Sequence, residues 1–163
     1  MNTIISTNRN VQNFNGKLNL KGSTSSYLRD VVDYKNYVAR NKKKDSPEFQ
    51  KDLNQFFNTL KLIKNNKKEK ELEVRAFCKG LPSITPLNWE IGYGDFHKTR
   101  KYQGKCDPIK NTIKYVIEIG KQAFGEKKLK KPISDLEKHR ISQDIIKMDN
   151  EYRLGWNTNK KRN

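Results

Sequence analysis

The 163 residues are the size of one ordinary domain with a single modest core, since 33% of them are apolar and 33% are charged. Lysine and arginine number 35 against 18 acids, a formal charge of +17 that repels itself in a compact chain and is most simply explained by a polyanionic partner. Two cysteines rule out a disulfide framework and a four-cysteine zinc site, and no run of 18 apolar residues offers a membrane span.

The first sixteen residues, MNTIISTNRNVQNFNG, lack the continuous apolar stretch of a secretory leader, so the expectation is a soluble, intracellular protein with no membrane partner. Of the 35 bases, 27 are lysine, and asparagine is abundant, a bias that suits an A/T-rich coding sequence. Such a bias would not by itself leave acids at about half the number of bases, so the excess charge still calls for a partner.

Residues 1–23 read as a polar, Asn-rich tail, either flexible or ordered on a partner. From Ser25 to Arg40, Leu28, Val31, Val32 and Val38 recur at helical spacing, which predicts a first helix. A charged turn, NKKKD, precedes SPEF, where Ser46 is placed as N-cap, Pro47 as the first helical residue and Glu48 in the first turn. The second helix then carries Phe49, Leu53, Phe56, Phe57, Leu60 and Ile63 at spacings of three and four, the clearest core stripe in the chain. ELEVRAFC, residues 71–78, alternates with period two and predicts a half-buried strand. WEIGY, residues 89–93, predicts a second strand after a Pro/Gly loop.

Asp107 as cap and Pro108 open a third helix with Ile109, Ile113, Val116, Gly120 and Phe124 on one stripe and Lys110, Lys114 and Lys121 on the opposite side. A basic linker, EKKLKKP, leads to Ser134 and Glu137 in capping-box spacing and a fourth helix with Leu136, Ile141, Ile145 and Met148 on its apolar face. Residues 153–163 read as a basic tail. The expected architecture is α+β: four helices with a small sheet over residues 71–93 between the N-terminal and C-terminal helix pairs, forming one domain over residues 24–152. The two C-terminal helices are expected to cover the sheet.

Between Phe96 and Lys131 the chain holds eleven lysines or arginines and three acids, interleaved with Phe96, Tyr102 and Tyr115. Cationic side chains displace counterions from phosphates and exposed rings stack on unpaired bases, so this segment predicts a nucleic-acid surface. Its contact residues are Lys98, Arg100, Lys101, Tyr102, Lys105, Lys110, Lys114, Lys121, Lys127, Lys128, Lys130 and Lys131. Lysine dominates arginine, and no helix gathers the Arg, Asn and Gln cluster of a major-groove reader. Backbone and shape recognition with modest sequence preference follows, with RNA favoured over DNA. A ribonucleoprotein, viral or mobile-element component would fit. Trp89, beside a strand, reads first as core and second as a stacking platform.

Two other readings use the same residues. Glu90, Asp95, His97 and Asp107 are the possible metal ligands or acid/base groups nearest the basic segment, and a nuclease could hold Mg²⁺ on Glu90 and Asp95 while Lys98 neutralises the cleaved phosphate. No cofactor is expected otherwise. The third reading is a basic protein-interaction module or inhibitor that docks on an acidic partner.

Within the stretch NWEIGYGDFHKTRKYQGKC, residues 88–106, the run GYGDFH resembles the glycine-tyrosine-x-aspartate motif of oblins, proteins encoded by viroid-like RNAs called obelisks. His97 stands where that motif ends in glycine. HKTR, residues 97–100, has the spacing of the HxxR element of tyrosine recombinases, a resemblance that would make Tyr115 a nucleophile. The upstream arginine and second histidine of that family have no clear counterpart.

Overall fold

A computed structural model describes residues 17–40, 46–78, 87–101 and 107–162. In chain order they form α1 (Thr24–Arg40), α2 (Pro47–Lys64), β1 (Leu72–Cys78), β2 (Leu87–Tyr93), β3 (Phe96–Lys101), α3 (Pro108–Phe124), the one-turn α4 (Glu126–Leu129) and α5 (Asp135–Arg162). The architecture is α+β, with a small antiparallel sheet ordered β1-β2-β3.

The helix starts lie where capping chemistry puts them. The Ser46 hydroxyl accepts the N–H of Phe49 at 3.2 Å with Pro47 at the first helical position. The Asp107 carboxylate accepts the N–H groups of Ile109 and Lys110 at 3.1 and 3.2 Å. Ser134 accepts from the Glu137 N–H at 3.2 Å, but the Glu137 side chain reaches Lys61 of α2 at 2.8 Å instead of closing a capping box.

Period-two alternation delivers Leu72 and Val74 of β1 and Trp89, Ile91 and Tyr93 of β2 to one face, where they are buried against α1 and α3. The sequence expectation of two strands is one short. The basic stretch after Tyr93, to which the sequence assigns no strand, returns as β3, pairing Tyr93 with Phe96 and Asn88 with Lys101. Gly94 and Asp95 make the two-residue turn, and Gly94 adopts φ +59°, the left-handed region in which a tight hairpin needs glycine.

α3 is the hub of the fold. It packs on α1, α2, α4, β2 and β3, and its buried set extends beyond the expected stripe to Asn111, Thr112, Tyr115, Ile117 and Ile119. Where it meets α2, Gly120 lies so close to Thr59 that a Cβ would sit 2.2 Å from the Thr59 Oγ1 and 3.0 Å from Leu129 Cδ2. Thr59 cannot step aside freely, because it is stiff at χ1 and its hydroxyl donates to the Gln55 carbonyl at 2.9 Å. Helix propensity alone would favour Ala by about 1 kcal/mol, whereas overpacking a full core costs about 1–3 kcal/mol. Gly120→Ala is therefore expected to lower the urea midpoint, and Thr59→Ala in the same chain to recover part of the loss. An unchanged or raised midpoint for the single variant would show that the two helices have slack.

Two departures concern the chain ends. Residues expected as tail are packed from Leu18, which is fully buried. Asn19, Lys21 and Leu72 exchange backbone hydrogen bonds at 2.8 and 3.0 Å, laying this segment along the edge of β1. α5 continues through Arg162, past the expected end near Tyr152, and packs on α1 and α2 rather than covering the sheet.

The α1–α5 contact is tied by Asp149, whose side chain is inaccessible to solvent. It accepts from Ser26 Oγ at 2.6 Å, Arg29 at 3.0 Å and Arg153 at 2.9 Å. Burial pushes its carboxyl up, but the hydrogen bonds from Ser26 and Arg29 and the Arg153 charge outweigh burial and hold it below the usual carboxylate range. Asp149→Ala is expected to cost about 1.5–3 kcal/mol in chemical denaturation at neutral pH, the scale of hydrogen bonds to a charged group. Because the folded-state value is depressed, this contribution is complete above the unfolded carboxylate range and is lost as pH falls through the lowered value. The gap between wild type and variant should therefore narrow only below about pH 4.

Candidate nucleic-acid interface

α3 presents Lys110, Lys114 and Lys121 to solvent along one stripe, as their four- and seven-residue spacings require. Glu118 falls on the same stripe between Lys114 and Lys121, so the surface is not uniformly basic. The stripe forms one wall of a groove of about 650 Å³. The first turns of α2 form the other wall with Glu48, Phe49, Lys51, Asp52 and Gln55, and Glu126 and Lys130 close one end.

Lys121 and Lys130 share Glu126, at 3.9 and 3.4 Å. Among the described residues no carboxylate comes within 4 Å of Lys110 or Lys114, which leaves their charge available. Lys127, Lys128 and Lys131 are exposed beside the groove, so seven of the expected contact residues occupy α3, α4 and the adjoining turn. Asp52 sits in the groove with its carboxyl raised, first by burial and then by the neighbouring Glu48.

The remaining expected contacts are placed less closely. Lys98, Arg100 and Lys101 lie on β3, in register with Ile91, Trp89 and Asn88, and β3 packs on α3. Tyr102 and Lys105 lie outside the described residues.

The expected stacking rings are mostly core. Tyr115 is 1% exposed and stacks on Trp89 at 6.4 Å with planes 17° apart, and Tyr27 meets Trp89 edge-on at 5.6 Å. Phe96 is half-buried against the same core. A phenol inside the core cannot serve as the nucleophile that the HKTR resemblance implied, because substrate has no access to it.

The carboxylates named for a nuclease do not converge. Glu90 lies on the sheet face opposite the core and is held by Arg75 at 2.9 Å. Asp95 is in the hairpin turn, beyond three further residues of strand that span roughly 10 Å. Asp107 is committed to capping α3. The exposed His97 lays its ring over Gly92, its cross-strand partner. Among the described residues no three His, Cys, Asp or Glu side chains come together as metal ligands, and no helix is long and apolar enough to cross a membrane.

The α2 wall, with Lys51, Asp52 and Gln55, escaped sequence reading because those positions looked like the solvated side of a core helix. Only the α2–α3 crossing at Gly120 turns them into a groove. In comparisons with protein-family models, with curated proteins and with solved structures, nothing matches this chain.

Proposed function

We infer that the chain is a non-enzymatic nucleic-acid-binding protein, RNA favoured over DNA, that works inside the cell and grips the phosphate backbone through the lysine face of α3 and α4. The observation that carries this reading is the pair Lys110 and Lys114, exposed and without a carboxylate partner among the described residues, on the rim of a groove that Lys51, Lys121 and Lys130 also line. Phosphate contact of this kind releases counterions and is independent of sequence.

α3 packs against α1, α2, α4 and the sheet and leaves its lysine stripe at the rim of the groove for contact. Contact through its rim suits the splayed backbone of single-stranded or irregular RNA better. The test is binding of short single- and double-stranded RNA and DNA across a salt series with Mg²⁺ present. The expected result is an affinity whose logarithm falls with log salt at roughly 0.7 per phosphate for single strands, with the substrate intact. Salt-insensitive or absent binding would reject the reading, and shortened substrate would replace it with a nuclease.

A further inference from the structure

Gln55 sets the groove apart from a plain basic rim. It is only 6% exposed and lines the groove, and among the described residues nothing hydrogen-bonds to its carboxamide. The other amides of this part of α2 are used: Asn54 donates to the Lys131 carbonyl at 2.9 Å, and Asn58 donates to the carbonyls of Leu129 and Lys131. A carboxamide that lines a groove and has no protein partner among the described residues keeps its acceptor and donors open to a ligand there.

Asp52 lies one turn before Gln55 on the same side of α2 and lines the same groove. Together they offer a two-oxygen acceptor beside a carboxamide donor. Phe49, Ile113 and Ile117 supply an apolar wall, with Phe49 held edge-on by Tyr34 at 5.7 Å. Lys110 and Lys114 stand at the rim. The volume of about 650 Å³ is within the ~300–1,000 Å³ of small-ligand sites.

We propose that this groove takes one unpaired guanosine nucleotide of a bound strand: the base enters between α2 and α3, Asp52 accepts its N1–H and N2–H, Gln55 donates to its O6, and Lys110 and Lys114 hold its phosphate. Guanine is singled out because it alone of the four bases offers two adjacent donors and an acceptor on its Watson–Crick edge in the order that a carboxylate and a carboxamide complement. Burial disfavours the charged form of Asp52, so that carboxylate gains from two donors aimed at it. Adenine presents no such donor pair, and cytosine and uracil would leave one of the two side chains unsatisfied.

This site rests on the nucleic-acid reading above, and the experiment separates the two. Full-length protein is titrated by fluorescence anisotropy against an eight-nucleotide oligouridine and the same strand with one central G, A or C. The wild type is expected to bind the G strand on the order of tenfold tighter than the others, the scale of a good bidentate base contact. Gln55→Met, which keeps the side-chain volume and removes the polar group, should bind all four strands at the oligouridine affinity with an unchanged salt slope.

As a readout that needs no variant, 5′-GMP added to wild type should shift the Gln55 side-chain amide resonances in NMR, and 5′-UMP should not. Equal binding of the four strands with a steep salt slope would overturn the guanosine site and leave the interface standing. Binding of none would overturn both. A G preference that survives Gln55→Met, or a Gln55 amide unmoved by 5′-GMP, would remove Gln55 from the site.

Discussion

Trp89→Ala is expected to destabilise the fold by about 3–5 kcal/mol, the cost of deleting a fully buried indole and leaving its cavity. That is a large share of the roughly 5–15 kcal/mol by which such a domain is stable. The indole is 1% exposed, stacked on Tyr115 of α3 and met edge-on by Tyr27 of α1, so its loss loosens the sheet from both helices together. Urea denaturation should show the fall in midpoint. The fraction still folded should bind RNA with wild-type affinity, because no part of the ring faces solvent. A stable variant with weakened binding would reverse the assignment and make Trp89 a stacking platform.

Trp89 also marks where sequence and structure part company. Its burial was readable from its place in a short β-branched strand, as were the caps at Ser46, Asp107 and Ser134, because capping and period-two alternation act within a few residues. β3 was not read, since FHKTRK has one apolar residue in six and no alternation of its own. The Gly94–Asp95 pair at its start was the usable signal, a glycine-first two-residue turn immediately after a strand.

The C-terminal half of α5 lacks an apolar face, so nothing in its pattern distinguished helix from tail. Asp149 could not be singled out either. Its partners Ser26 and Arg29 lie more than a hundred residues away in sequence and meet it only after α1 and α5 have docked. The lysine side of α3 followed from spacing alone, but Glu118 within that stripe and the α2 wall facing it depend on tertiary placement.

The lysine face supplies the other large effect. Replacing Lys110, Lys114 and Lys121 by Gln is expected to weaken binding of single-stranded RNA by about a hundredfold at 0.1 M salt. Each phosphate contact adds roughly 0.7 to the slope of log affinity against log salt, so three contacts contribute about two decades between 1 M and 0.1 M. The slope itself should drop by about 2 in the same titration, which distinguishes lost phosphate contacts from a damaged fold. Stability should change by less than about 0.5 kcal/mol, because all three ammonium groups are exposed and the one ion pair they make among the described residues, Lys121 with Glu126 at 3.9 Å, is a surface contact of little energetic weight. Replacing Lys127, Lys128 and Lys131 instead should reduce the slope by a smaller amount, since these lysines flank the groove without lining it. If the α3 variant keeps both its affinity and its slope, α3 does not face the nucleic acid. The excess charge would then have to act through other lysines, those on β3 first.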